Sequence, residues 1–274
     1  MSNFLSKIKH VILKRHVYGW SSPLRVLPDL IVIGVVRSGT TSLYHYLSQH
    51  PSVVKSAYDE LGYFDSNYKL GLNWYKSFFP SIFEKKKVMQ KNKKFMTYDV
   101  TPFYIYHEKA PERIHQILPN SKLIIILRNP VDRSYSNYFL GNQKKNFEEI
   151  IADEKKILNK INKNNADEYY NFVHTSMLAR GFYAEQLENW YKSFSKDQIL
   201  IIKSEEFATD TNKIMNNIFD FLELPHYDIP DNSKKNKIHY EPMKKETRDD
   251  LIEFFGPYNE KLYSLVGRNF DWEN

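Results

Sequence analysis

The apolar run Leu30-Ile31-Val32-Ile33 enters a short loop bounded by Gly34 and Gly39, and Thr40-Thr41-Ser42 then open a pattern of helical spacing through Leu43, Tyr46 and Leu47. A strand, a glycine loop and a helix N-terminus in that order point to an α/β fold. Such a unit gathers unpaired backbone N–H groups and the positive end of a helix dipole at one point, which suits an anion and most often a phosphate. The alternative for Gly34 and Gly39 is an ordinary strand-to-helix turn.

The loop is close to a phosphate-binding Walker A sequence and departs from it at the chemically decisive place. That consensus has Lys directly after the second Gly, followed by Ser or Thr to hold magnesium. Here Gly39 is followed by Thr40 and Thr41, and the only cation in the loop is Arg37. A guanidinium there still neutralises a phosphate-like group, but nothing marks a magnesium-bound triphosphate.

A second strand-to-helix junction repeats the theme. Lys122 to Leu127 is a continuous apolar run of the buried parallel type. It ends in Arg128-Asn129-Pro130, where Asn129 suits a helix N-cap and Pro130 the first helical position. A Walker B strand ends in Asp to hold magnesium; this one ends in Arg128, a fork-shaped donor for an anion. Both departures put a cation where a nucleotide kinase needs metal chemistry, so the ligand implied carries two separate anionic groups and needs no metal. Between the two junctions, Ser52-Val53-Val54 reads as a short strand whose exit carries Glu60. In open α/β sheets ligands sit beyond the carboxyl ends of the strands, so Glu60 is placed to face whatever the glycine loop holds and to act as a general base. A solvated loop acid is its alternative.

At 274 residues and 42% hydrophobic content the chain buries a full core as one α/β domain, a parallel sheet flanked by helices, over residues 29–274. Residues 1–28 precede it as a basic amphipathic segment, with Phe4, Leu5, Ile8, Val11 and Ile12 on one helical face. That segment is read either as packing on the domain or as resting at residues 1–20 on the periphery of an anionic membrane. The formal charge of +6 comes from many Lys, which fits either anionic ligands or a general lysine surface. Cysteine is absent, which excludes disulfides, thiolate zinc sites and a cysteine nucleophile and fits a cytoplasmic setting. No apolar run reaches the ~18 residues of a spanning helix. The Lys85–Lys94 basic run reads as an exposed loop, and no nucleic-acid module accompanies it. Tyr68, Trp74, Tyr75, Phe78 and Phe79 are read partly as core and partly as rings for a sugar-like acceptor. Phe95 to Val100 and Ile199 to Lys203 complete the strands, with Ser204 as an N-cap beyond the last of them. Residues 141–170 read as a mobile helical excursion with patchy periodicity, and Ser176 to Phe194 as one amphipathic helix.

These pieces, in order, resemble a sulfotransferase that uses 3′-phosphoadenosine 5′-phosphosulfate (PAPS) and are most similar to the heparan sulfate and related carbohydrate sulfotransferases and their microbial relatives. The resemblance runs from about Asp29 to Trp272 through Ile33 to Leu43, Glu60 with Tyr63-Phe64-Asp65, Gly71 to Tyr75, Thr101-Pro102 with Tyr104, Arg128 to Tyr138, and Leu265 to Trp272. It implies a P-loop NTPase-like sulfotransferase fold, PAPS as donor with PAP as product, no metal, and a small-molecule or glycan acceptor sulfated on a hydroxyl or an amine. It further implies Glu60 as catalytic base, Arg37 on the leaving phosphate, and Ser38, Gly39, Thr40, Thr41 and Ser42 around the phosphosulfate. Arg128 and Ser136 are implied at the 3′-phosphate, and Lys235 and Arg248 as contacts from a closing loop; Arg180-Gly181-Phe182-Tyr183 resembles a stretch near the nucleotide in microbial relatives, with core packing as the alternative for Tyr183. Where related enzymes carry a catalytic Lys this chain has Val100, with Lys55 and His107 as candidate substitutes. The rival readings are a metal-dependent P-loop kinase and a binding module without turnover.

Overall fold

The computed structural model describes residues 19–141, 143–162, 165–233 and 240–273. Their backbone is organised by five strands, β1 (Leu30–Gly34), β2 (Val53–Lys55), β3 (Met96–Val100), β4 (Lys122–Leu127) and β5 (Ile199–Lys203). They form one sheet in the order β2-β3-β1-β4-β5 with every neighbouring pair parallel. Alternation explains the two cores. Ile31, Ile33, Leu123, Ile125 and Leu127 point to one face and Leu30, Val32, Ile124 and Ile126 to the other, and each group is sealed in its own apolar cluster. Covered on both faces, the central strands have no polar positions to offer, hence the unbroken apolar runs.

Helix α1 (Thr40–Leu47) leaves β1, and α2 (Leu72–Lys76) and α3 (Ile82–Asn92) lie between β2 and β3. Helix α4 (Ala110–Ile117) leads into β4. Helices α5 (Pro130–Tyr138), α6 (Phe147–Leu158), α7 (Ala166–Thr175) and α8 (Tyr183–Trp190) separate β4 from β5. Helices α9 (Ser204–Thr209), α10 (Thr211–Phe221) and α11 (Lys245–Val266) come after β5. From β1 the chain crosses to the edge strand β2 and returns through β3, then passes to the other side of β1 for β4 and β5. The crevice beyond the carboxyl end of β1 is therefore the topological switch point, where α/β sheets bind ligands.

Three expectations are corrected, and the helical excursion is resolved into its helices. The lysine run from Lys85 is the helix α3, capped by Ser81, whose hydroxyl accepts from the Glu84 amide at 3.2 Å. Glu, Lys, Val, Met and Gln are adequate helix formers, and a polar surface helix needs no apolar stripe to show in the sequence. Among the described residues of the stretch from 141, the helical excursion consists of the capped helix α6 and the start of the capped helix α7, α6 carrying a capping box of Asn146 and Glu149. The expected single helix over Ser176 to Phe194 is interrupted at Gly181. A Cβ there would lie 2.7 Å from Phe255 Cε1 and 2.9 Å from Pro130 Cβ, so the turn packs against α11 and α5 through a glycine. Trp74, Tyr75, Phe78 and Phe79 are all buried in the core, which removes them as acceptor platforms. Residues 1–18, the amphipathic segment among them, lie outside the described residues.

Candidate active site

The glycine loop is built by two left-handed residues. Gly39 has φ 101° and Arg37 φ 71°, and these turns let β1 pass directly into α1 with the loop wrapped across the helix N-terminus. Three outside side chains hold the loop. Ser204, the first residue of α9, donates to the Ser38 carbonyl at 2.9 Å, which replaces its expected role as an N-cap. Arg37 Nε donates to Ser136 Oγ on α5 at 3.0 Å, and Arg128 Nη1 donates back to the Arg37 carbonyl at 3.0 Å. Arg128 is itself fixed by Tyr183, whose hydroxyl donates to its carbonyl at 2.8 Å. Asn129 caps α5 as its sequence suggests, accepting from the Val131 amide at 3.0 Å.

Above this junction opens a cavity of about 620 Å³ lined by residues 36–42, Glu60, Phe103, Arg128, Ser136 and Arg180, with Ser204 and Tyr240 at other points. Glu60 therefore shares one chamber with the glycine loop. Its backbone has φ 52°, and its amide donates to the Val100 carbonyl at the end of β3 at 2.8 Å.

The chamber's positive charge comes from arginine, set against the carboxylates of Glu60, Asp132 and Glu205 in the same lining. Among the described residues that line it, the cations are Arg37, Arg128 and Arg180. Burial, and then the neighbouring Arg128 guanidinium, lowers the Arg37 pKa from its ordinary value. Two like charges held side by side are relieved by an anion between them. Burial likewise lowers the Arg180 pKa. Arg180 sits 5.1 Å from the Phe103 ring centroid and donates to the carbonyls of Val173 and His174 and to Asn137 Oδ1. A further polar handle is the Ser38 hydroxyl, buried in the lining with no hydrogen-bond partner among the described residues. A chamber with paired guanidiniums, a helix N-terminus and an orphaned hydroxyl fits a ligand with phosphate or sulfate groups.

The expected site residues divide clearly. Glu60, Arg37, Ser38, Gly39, Thr40, Thr41, Ser42, Arg128 and Ser136 all line the chamber. Lys235 lies outside the described residues. Arg248 belongs to the first turns of α11 and does not line the chamber; it reaches the rim through Asp132, with Nη1 2.7 Å from Asp132 Oδ1. Neither substitute for the missing Lys is there: Lys55 lies 5.9 Å from the Tyr44 ring centroid and His107 packs on Tyr170. Val100 is buried. Arg180 is the third cation present, in the stretch whose resemblance to microbial relatives set it near the nucleotide, whereas Ser204, Glu205 and Tyr240 are lining residues that the sequence reading did not place there. Ser204 was findable, because it comes directly after β5 as Arg128 comes directly after β4.

A parallel sheet whose switch point holds a glycine loop, a helix N-terminus and paired arginines defines a P-loop-like anion-binding enzyme. The sulfotransferase domain family matches residues 27–256. The chain belongs to that family: it has the P-loop-like sulfotransferase fold and is a transferase of sulfuryl groups. It is 30% identical, over 92% of its own length and 68% of the relative's, to a membrane-associated sulfotransferase of Dictyostelium discoideum. It is 29% identical to the mouse heparan sulfate glucosamine 3-O-sulfotransferase 5, covering 90% of this chain and 74% of that protein. A crystal structure of a sulfotransferase from Alicyclobacillus acidocaldarius matches with a TM-score of 0.69 and 25% identity, covering 91% of this chain and all of that one. The kinase alternative falls with this membership.

Proposed function

We propose that the enzyme transfers the sulfuryl group of PAPS to a hydroxyl of a carbohydrate-like acceptor, without a metal. The observation that carries the reading is the chamber itself, in which Glu60 and the glycine loop face one space whose lining cations are arginines. The names of the glycan-sulfating relatives support the acceptor class.

In this reading Ser38 through Ser42 hold the phosphosulfate, and Arg128 with Ser136 hold the 3′-phosphate. PAPS supplies the sulfuryl group and departs as PAP. Glu60 takes the proton of the acceptor hydroxyl as its oxygen bonds to sulfur, and Arg37 balances charge on the departing phosphate. Positioning and neutralisation of the leaving group supply the catalysis, with no covalent enzyme intermediate. Arg248 acts on the nucleotide indirectly, through Asp132 at the rim. The enzyme works in the cytoplasm or at the periphery of a membrane there, and among the described residues no helix is long and apolar enough to cross a membrane.

The test is metal-free titration of PAP, ADP and ATP with magnesium, then turnover of radiolabelled PAPS over a panel of glycans. PAP is expected to bind tightest, with about 30-fold or greater loss in Arg128→Ala, the cost of removing one partner of a charged pair. Glu60→Gln is expected to lower kcat by about 100-fold or more, the usual scale for a general base. Preference for ATP with magnesium, or near-full turnover in Glu60→Gln, would overturn the reading. Tight PAP binding with no transfer to any acceptor would favour a binding module instead.

A further inference from the structure

Asp99 is the penultimate residue of β3, one before Val100, fully buried beneath the loop that carries Glu60. A buried carboxylate needs donors, and this one has three hydroxyls. Thr101 Oγ1 donates to Oδ1 at 2.9 Å, and the hydroxyls of Tyr75 and Tyr104 each donate to Oδ2 at 3.0 Å. Each hydroxyl has one proton, and the carboxylate takes it. The remaining lone pairs of Thr101 and Tyr104 are thereby turned toward the loop. There they accept the backbone N–H of Gly62 at 3.4 Å and of Tyr63 at 2.8 Å. Tyr75 stands apart: it makes no hydrogen bond to the loop, and its ring stacks on Tyr63 at 4.5 Å between centroids.

We propose that Asp99 is a positioning residue for the transfer reaction: through Tyr104 and Thr101 it orients two hydroxyls whose lone pairs pin residues 62–63 and so fix Glu60 in the chamber. The inference rests on Glu60 being the base. The loop needs such an anchor because Glu60 and Gly62 both hold positive φ, at 52° and 60°, a conformation that a non-glycine residue keeps only when its surroundings impose it. The hydrogen bond from the Glu60 amide to the Val100 carbonyl sets one end of the turn, and that from the Tyr63 amide to the Tyr104 hydroxyl sets the other. A neutral amide in place of Asp99 cannot accept three hydroxyl protons at once with the same geometry, so at least one hydroxyl turns away.

The paired variants Tyr104→Phe and Tyr75→Phe test this, because each removes one donor from the same carboxylate oxygen while keeping its ring, and only the first severs the link to the loop. Amide hydrogen exchange of residues 60–63 needs no acceptor. It is expected to quicken about tenfold in Tyr104→Phe and Asp99→Asn and to stay at the wild-type rate in Tyr75→Phe, even where the two Tyr variants lose similar thermal stability. With the acceptor found in the panel, kcat of Tyr104→Phe is expected to fall about tenfold or more with KM for PAPS unchanged, while Tyr75→Phe keeps the wild-type kcat. Thr101→Ser, which keeps the hydroxyl, is expected to retain activity that Thr101→Val loses. Equal exchange rates in the two Tyr variants, or equal loss of kcat, would show a purely structural cluster and overturn the proposal. Full turnover in Glu60→Gln would instead remove the base reading while leaving the exchange result intact.

Discussion

Burial lifts the Asp99 carboxyl to about 6, against the hydrogen bonds from Thr101, Tyr104 and Tyr75, with the Asp65 charge adding to the rise. The sign of the consequence is fixed by that direction. The folded chain holds this proton more tightly than the unfolded chain, so the group's contribution to stability is full below about 4, its ordinary range, and is gone above about 6. Acidification from pH 7 to 5 therefore favours the fold through Asp99 while a protonated carboxyl no longer accepts all three hydroxyls. We expect the melting temperature of the wild type to gain on that of Asp99→Asn between pH 7 and 5 while wild-type kcat falls over the same interval; parallel changes would contradict it. Little of this was readable beforehand. The Glu60 and Arg37 positions follow from where strands end, a local property, whereas Asp99 looks like any acid in a strand until Tyr75, Tyr104 and Thr101 are brought around it. Arg180 is half such a case: its resemblance to a stretch near the nucleotide was readable, while its packing on Phe103 and its bond to Asn137 join distant parts of the chain.

At the level of elements, the turn between α7 and α8 is held from below by α6. Glu154 is buried and accepts from Ser176 Oγ at 2.6 Å and from the amides of Met177 and Leu178 at 2.7 and 2.8 Å. This carboxylate does for the turn what a cap does for a helix. Its loss strands two buried N–H groups, so Glu154→Ala is expected to cost about 3 kcal/mol in chemical denaturation. Arg180 lies close beyond that turn, so the same variant is expected to weaken turnover as well as stability, which a comparison of kcat at low temperature checks. Gly181→Ala is expected to cost about 1–3 kcal/mol by overpacking against Phe255 and Pro130. The strands were legible because a buried parallel strand is an unbroken apolar run. The helices of residues 141–194 were legible as helical stretches but not in their bounds, because Glu154 and Gly181 serve contacts with remote elements and blur the local period. Helix α3 hid for the opposite reason: it buries nothing, so no period marks it.

For the molecule as a whole, the fold class was legible because its organising unit is local, a glycine-loop junction after β1 and an arginine junction after β4, whereas the strand order is set by pairings between remote segments. The net charge of +6 acts at longer range. An anionic ligand is drawn toward such a surface, so the association rate of PAP is expected to fall several-fold from about 20 to 200 mM salt, with its dissociation rate nearly unchanged in stopped-flow traces. Surface and chamber also differ in kind. Lysines far outnumber arginines along the chain, yet the described cations of the chamber are all guanidinium groups. Acylating reagents, and enzymes that acetylate lysine, can thus strip the outer charge without altering the binding chemistry, and a dicarbonyl such as phenylglyoxal attacks the chamber's own cations. Catalysis and surface charge are two separately addressable properties of this chain.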